Sequence, residues 1–461
     1  MADCSIRPMS SAYSFPSTQF WNSVHYRPSI GNRFVTDNYL QANNFSIVPS
    51  RSYPSQFFRS WVDKSRQVSE CKNANKIGQW ETVTPSCQLP HSTVPCITFT
   101  FCSYNVLCQS TLDSMYDLYP DCKPEHLTWS FRWPLLQKMF ESLDADIFCL
   151  QEIEAQYVEP CYMAYFKGRG FDGTFKKRTN DKADGCAIFW RRSKFSLHSS
   201  TQLEYLLPRT AMNRDNVGLI VTLKSADDKN DGTKQGLITV ATTHLLYNLK
   251  RGDIKLAQMA LLLSRVQKAA QKNDPETHLP TFHPVIICGD FNATPFSPLH
   301  KFVADGALPY EGLRRNEISG QGALGGPKLC FPLLPPSANI LEEMCDLLEE
   351  SSTQSVRVFF RKRFFPAVVG HRLTLRSVYD SEKTTPCRHV TSVLGLKTVD
   401  HIFYSDTIQT GTSSGTFEKP FLLCTERCPL PMVSELKMMA APNSWMPSDH
   451  FPLLSKFNFY T

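Results

Sequence analysis

Apolar residues are spaced in two ways along this chain, and the change falls near residue 90. From Ile97 onward, Ile97, Phe99 and Phe101 alternate with polar or small residues, the period of a strand with one face buried. Short β-branched or apolar runs follow at Asp146–Leu150, Cys186–Trp190, Val217–Leu223, Leu237–Thr243 and Val285–Cys288, each bounded by charge or glycine. Val399–Tyr404 and Leu453–Phe459 predict two more strands near the end. Two segments carry helical spacing instead. Phe131–Leu143 has Leu135, Leu136, Met139, Phe140 and Leu143, and Asp253–Gln271 has Ile254, Leu256, Ala257, Ala260, Leu261, Val266 and Ala269, with Asp253 at its positive end. Strands interspersed with helices, some too closely connected for an intervening helix, predict an α/β fold with a mixed sheet core.

Residues 1–90 hold no sustained period. Ser, Pro, Asn, Tyr and Phe recur with few aliphatics, so the segment is expected to be a disordered or weakly ordered leader, with the folded domain over 91–461. Residues 306–376 are expected to form a loop-rich, charged insertion. Gly320–Gly326 and Pro332–Pro336 are loop chemistry, and an acidic stretch from Glu342 to Glu350 precedes the basic group Arg357, Arg361, Lys362 and Arg363.

Composition narrows the class. At 461 residues the length prior is about three domains. The 42% hydrophobic content lies below the roughly 45–50% usual for globular domains, which agrees with part of the chain not packing. The longest apolar runs, such as Met259–Leu263, fall far short of the roughly 18 residues of a membrane span, so no membrane partner is expected. The net charge is +6, and nine Lys and Arg against five Asp and Glu place four of those charges in the first 90 residues. The sixteen cysteines are scattered, several inside strand-like runs where a thiol packs as a small hydrophobe. Cys424 and Cys428 have no second pair to complete a zinc site. With no signal-peptide core at the start, the expected compartment is reducing and intracellular, cytoplasmic or nuclear. Arg7, Arg27 and Arg33 against the lone acid Asp3 leave a mitochondrial address as the alternative.

The candidate chemistry sits at strand ends, the usual place for reactive groups on an α/β scaffold. Asn105 closes the first strand, and Gln151–Glu152 follow the second. His244 ends Thr239–Thr243, and Gly289–Asp290–Phe291–Asn292 follow Val285–Cys288. Asp400 opens a late strand, and Ser448–Asp449–His450 precede the last. Singly, each is an adequate turn or a hydrogen-bonded strand end. Together they form the hard-oxygen set that Mg²⁺ selects, with two histidines for acid–base or charge-stabilising work and Asp400 to fix a tautomer. That set suits attack of water on a phosphate ester. No Gly-x-Ser-x-Gly elbow or P-loop is present, which argues against serine hydrolysis and ATP-driven chemistry.

In this order these residues resemble the exonuclease/endonuclease/phosphatase superfamily, whose members are similar to deoxyribonuclease I. The runs Cys102–Leu107, Asn213–Leu219 and Thr243–Asn248 resemble the carbon catabolite repressor/nocturnin group. Arg251–Gln258, Tyr310–Leu313 with Ser319–Gln321, and Thr398–Asp400 resemble its Angel-homologue branch. The similarity spans roughly residue 97 to the end and is weakest across about 325–370.

The resemblance implies a two-sheet α/β sandwich and a metal-dependent phosphohydrolase of RNA 3′ ends. Glu152 would be the principal Mg²⁺ ligand with Asn105 beside it and Asp449 at the metal side, for one ion or two, with Mn²⁺ a substitute. Asp290 and Asn292 would hold the attacking water, the phosphate or a second metal. His244 would stabilise the pentavalent phosphate, and His450, paired with Asp400, would transfer a proton or contact phosphate. Asn216 and Asn248, within the branch motifs, would bind substrate. The implied reaction is removal of a 2′,3′-cyclic phosphate from mRNA or tRNA-like ends; a 3′–5′ exoribonuclease acting on poly(A) is the alternative. Outside that pair stand an inositol-phosphate or sphingolipid phosphatase and a catalytically weak mRNA- or translation-factor-binding protein that uses its leader to reach a partner. Two positions depart from the branch: Leu249 stands where proline is usual, and His401 where tyrosine is usual.

Overall fold

The computed structural model describes residues 80–83, 96–207, 209–210, 212–226, 236–273, 280–322, 324–329, 333–334, 367–379, 389–405, 421–436 and 439–461. The acidic stretch Glu342–Glu350 and the basic group Arg357–Arg363 lie outside them, as does the leader up to residue 79.

Two mixed sheets face each other. In chain order the strands are β1 (Glu81–Thr82), β2 (Cys96–Asn105), β3 (Ile147–Glu154), β4 (Phe171–Lys177), β5 (Asp184–Arg191), β6 (Phe195–Glu204), β7 (Val217–Ser225) and β8 (Leu237–His244). A short hairpin, β9 (Gln271–Asn273) and β10 (Pro280–Phe282), precedes β11 (Val285–Asp290). The rest are β12 (Ala307–Pro309), β13 (Val368–Gly370), β14 (Leu375–Ser377), β15 (Asp400–Ser405), β16 (Phe421–Arg427) and β17 (Leu453–Tyr460). One sheet runs β1-β16-β17-β2-β3-β5-β4 and the other β14-β15-β11-β8-β7-β6. The pairs β2–β3 and β8–β11 are parallel, and the remaining neighbours are antiparallel.

Alternation along the strands divides the core into layers. Phe101, Ile147, Cys149 and Ile188 of one sheet pack against Leu219, Val240, Ile286 and Ile402 of the other. The intervening Cys102, Phe148 and Leu150 turn outward to helix α1 (Trp129–Leu143), through Leu136, Met139 and Phe140. Outside the second sheet, helix α2 (Gly252–Ala270) covers Ile220, Ala241 and Ile287, together with α3 (Pro298–Asp305). Both faces of the central strands are therefore buried, which is why they read as continuous apolar runs.

Three differences from the sequence reading stand out. Strands β4, β6 and β16 lie outside the predicted runs; β6 is an edge strand with Ser196–Gln202 exposed, so no buried face stamps a period on it. Glu81 and Thr82 pair with Arg427 and Glu426, Glu81 accepts from Arg427 Nε at 2.9 Å, and Lys456 sits 4.2 Å over the Trp80 ring. Residues 80–82, which the sequence reading places in the leader, are thus bonded to the sheet. The ends of the 306–376 stretch are also ordered, since β12 and β13 pair antiparallel.

Candidate active site

Sheet direction gathers the polar strand ends at one rim. The parallel strands β2 and β3 finish there with Asn105 opposite Gln151, and β8 and β11 finish with His244 opposite Asp290. Antiparallel β15 begins where β11 ends, so Asp400 lies opposite Asp290. Residues hundreds of positions apart become neighbours.

Glu152 stands in a β-bulge, where the β3–β5 register shifts between Gln151 and Ile153, and its φ is +60°. Left-handed backbone at a non-glycine residue is strained, and a bulge re-aims the side chain it carries. The bulge leaves Gln151 in the core, where Nε2 donates 2.9 Å to Thr242 Oγ1 of the facing sheet. Glu152 Oε1 accepts from Asn105 Nδ2 at 2.9 Å, and Oε2 from the Cys108 N–H at 2.9 Å. Burial pushes the Glu152 carboxyl up, but the charge of His244, these two donors and His450 outweigh it and hold it below the usual range.

Asp290 is pushed up to about 6 by burial and by the Asp400 charge, against the opposing pull of His244, His450 and the Asn292 N–H. His244 reaches both acids, with Nδ1 3.7 Å from Glu152 Oε1 and Nε2 3.5 Å from Asp290 Oδ2. His450 Nδ1 donates to Asp400 Oδ2 at 2.8 Å, and its Nε2 lies 3.9 Å from Asp290 Oδ2. Burial by itself would drive the proton off His450; Asp400, with Asp449 and Asp290, reverses this and holds the imidazolium well above the usual histidine range. Burial likewise raises Asp449, which accepts from Tyr119 Oη at 3.3 Å through Oδ2 while its buried Oδ1 has no hydrogen-bond partner. Ser448 Oγ donates to the Asn105 carbonyl at 2.7 Å, which fixes the Asp449–His450 turn to the end of β2.

Three buried carboxylates, Asp290, Asp400 and Asp449, and the partly buried Glu152 therefore share one rim with two histidines. One ligand atom each from Asp290, Asp400 and His450 lies within 4.8 Å of the others. The unsatisfied Asp449 oxygen and the raised Asp290 and Asp449 fit a bound divalent cation, because clustered acids and an orphaned buried acceptor are what such an ion offsets.

The hydrogen bonds of the expected asparagines bear on their roles. Asn105 turns its amide nitrogen, not its oxygen, toward Glu152 and Asp290, because Oδ1 accepts the Leu107 N–H at 3.1 Å. In this arrangement its amide nitrogen holds the two carboxylates in place. Asn216 is buried, donates to the His244 carbonyl at 3.0 Å and accepts from Gln258 Nε2 at 3.2 Å. With both ends of its amide occupied it supports the end of β8 that carries His244. Asn248 is exposed on the loop after β8, and its Oδ1 accepts the Lys250 N–H at 2.9 Å, a turn-forming part. Asn292, at φ +47°, donates its N–H to Asp290 Oδ1 at 2.8 Å and Nδ2 to the Leu245 carbonyl at 3.1 Å. His401 lies 2.7 Å from the Ala293 carbonyl through Nε2, so the departure from tyrosine still bonds the catalytic loop.

Sequence reasoning missed Arg132, Tyr119 and Lys255. Arg132 sits one turn before Leu136 on the buried stripe of α1, and Lys255 lies in a stretch of α2 buried from Ile254 to Ser264. A charge on an apolar helix face was the available signal.

Residues 102–450 match the Endonuclease/Exonuclease/phosphatase family. The chain is 34% identical over 436 residues to protein angel homolog 2 of Danio rerio, covering 91% of this chain and 71% of that protein. It is 27% identical over 478 residues to carbon catabolite repressor protein 4 homolog 3 of Arabidopsis thaliana, covering 99% and 98%. Among solved structures, ANGEL2, described as a 2′,3′-cyclic phosphatase and bound to adenosine-2′,3′-vanadate, matches with a TM-score of 0.68 and 33% identity, over 84% of this chain and 100% of that one. With the acid-and-histidine rim in place on a two-sheet sandwich, the chain belongs to the Endonuclease/Exonuclease/phosphatase family of phosphate-ester hydrolases, in its Angel-homologue branch.

Proposed function

We propose that this protein is a Mg²⁺-dependent phosphohydrolase of RNA 3′ ends that opens and removes a terminal 2′,3′-cyclic phosphate. The observation that carries the reading is the match, over 84% of this chain and all of the other, to a 2′,3′-cyclic phosphatase bound to adenosine-2′,3′-vanadate. Glu152 and Asp449 would hold the ion, which when bound supplies Lewis-acid stabilisation of charge on the phosphoryl oxygens. Asp290, raised to about 6, accepts the proton of the attacking water near neutral pH. One ring P–O bond breaks as the new P–O bond forms. His450, held protonated by Asp400, donates to the departing ribose oxygen, and His244 offsets the negative charge that gathers on the phosphoryl group. A second water repeats the displacement on the opened monoester, leaving the 2′,3′-diol and inorganic phosphate.

The test is an oligonucleotide series ending in 2′,3′-cyclic phosphate, 3′-phosphate, 2′-phosphate or a 3′-hydroxyl poly(A) tract, with and without Mg²⁺. Release of phosphate from the cyclic end with Mg²⁺ is expected, and Glu152→Ala and Asp290→Ala should each abolish it. Shortening of poly(A) with the cyclic end untouched would favour the exoribonuclease instead, and full turnover in both variants would overturn the site.

A further inference from the structure

The rim leaves one buried charge unaccounted for. Lys255, the fourth residue of α2, is 0% exposed and forms no ion pair among the described residues. Its Nζ donates to the Asn292 carbonyl at 2.7 Å and to Gln321 Oε1 at 3.0 Å. A methionine would fill the same volume without the cost of desolvating an ammonium. Space-filling therefore does not account for a lysine.

Both partners are informative. Asn292 is the left-handed end of the catalytic turn, and its N–H orients Asp290 Oδ1. A left-handed residue returns to an ordinary conformation unless its peptide groups are held, and the Lys255 ammonium holds the carbonyl on its far side. Gln321 belongs to the Ser319–Gln321 motif, to which the active site assigns no part. That segment is itself anchored beneath the turn. Thr294 N–H donates to the Ser319 carbonyl at 2.8 Å, Leu299 N–H to the Ile318 carbonyl at 3.0 Å, and Gly252 N–H to the Arg315 carbonyl at 3.1 Å. Gly320, at φ +68°, runs so close to Thr294 that a Cβ would lie 2.1 Å from its Oγ1. Only glycine lets the segment approach and deliver Gln321.

We infer that Lys255, held by Gln321, is a positioning residue of the hydrolytic reaction: the hydrogen-bonded chain Gln321–Lys255–Asn292 locks the Asp290–Asn292 turn behind the buried carboxylates. The Ser319–Gln321 motif is the buttress of that lock. This inference rests on the phosphohydrolase reading for its rate effects and on the structure alone for its effect on the turn.

The experiment compares the full-length wild type with Lys255→Met, Gln321→Met, Gln321→Glu and the double methionine variant. Turnover of the cyclic-phosphate oligonucleotide is measured, together with amide hydrogen exchange at Phe291 and Asn292 in enzyme without substrate. In Lys255→Met, kcat should fall on the order of 100-fold with KM within about twofold, because the turn acts on chemistry and not on docking. Gln321→Met should fall about tenfold, and the double variant no further than Lys255→Met, since both act through one group. Gln321→Glu, which keeps an acceptor for the ammonium, should retain wild-type kcat. Exchange at Asn292 should accelerate in both methionine variants. Wild-type kcat and exchange in Lys255→Met would overturn the inference, as would additive losses in the double variant. Should Lys255→Met not fold, unchanged kcat and exchange in Gln321→Met would overturn it equally. A wild type that hydrolyses none of the oligonucleotides counts against the phosphohydrolase reading, and Asn292 exchange then decides the lock by itself.

Discussion

Arg132 forms no ion pair among the described residues, yet it is wholly enclosed. Its guanidinium donates to four oxygens: the carbonyls of Val106 and Leu107 at 2.6 Å, that of Pro447 at 2.6 Å, and Gln109 Oε1 at 2.9 Å. One side chain thereby ties the loop that delivers the Cys108 N–H to Glu152 to the loop that carries Asp449. Arg132→Met should cost about 3 kcal/mol, read from urea unfolding, because four buried acceptors lose their donor at once. Arg132→Lys should recover little of it, since a point ammonium cannot span both loops. Near-wild-type stability in either variant would refute this account. Arg132 and Lys255 thus do related work beside different sheets, each a buried basic side chain bonded to loop oxygens behind the acids.

Among the elements, the parallel pair β8–β11 determines most of the site, because His244 and Asp290 are its matched last residues. The pair closes tightly at Gly289, where φ is +133° and a Cβ would lie 2.0 Å from the Thr243 carbonyl. Gly289→Ala should force the two strand ends apart, destabilise the fold by about 3 kcal/mol or more and remove turnover. Gly312→Ala is the comparison, since Gly312 has φ +83° but nothing within 4 Å of its Cβ position. It should cost only about 1 kcal/mol, from backbone strain alone. Equal losses in the two variants would mean that the close approach at Gly289 is unimportant. The elements themselves were largely legible, because strands buried on both faces write unbroken apolar runs. Edge strand β6 was not, and neither was the bulge at Glu152, whose local sequence Gln151–Glu152–Ile153 carries no Gly or Pro to announce it.

Across the molecule, helices cover the outer faces of both sheets, and several histidines are enclosed with them. Burial, with His401 nearby, lowers His300 to about 3, and burial lowers His371 to about 4. The unfolded chain takes up their protons at about 6.5 while the folded chain refuses them, so stability is retained above that pH and lost as pH falls from 6.5 toward 4. The slope approaches about 1.4 kcal/mol per pH unit for each such residue. Urea midpoints at pH 7 and pH 5 should therefore fall more in the wild type than in His300→Phe, whose ring replaces imidazole against Phe403 and His401. Identical falls would show that His300 is protonated in the folded state. Among the described residues no helix is long and apolar enough to cross a membrane.

The order of strands, the two long helices and the identity of the acids and histidines were written in the linear chain, because side-chain period and strand-end chemistry are local properties. Asn105 and Asp290, 185 residues apart, and Asn105 and Ser448, 343 apart, carry no local mark of their contact. Whether an asparagine turns oxygen or nitrogen to a carboxylate depends on the donor at its other end, and that donor belongs to the folded backbone. The bonds of Asn216 to the His244 carbonyl and Gln258 were illegible for the same reason: burial and partners are properties of the folded chain. Tertiary structure also selected which of the chain's many lysines and arginines stand behind the acids, since the backbone carbonyls that offset their desolvation come together only on folding.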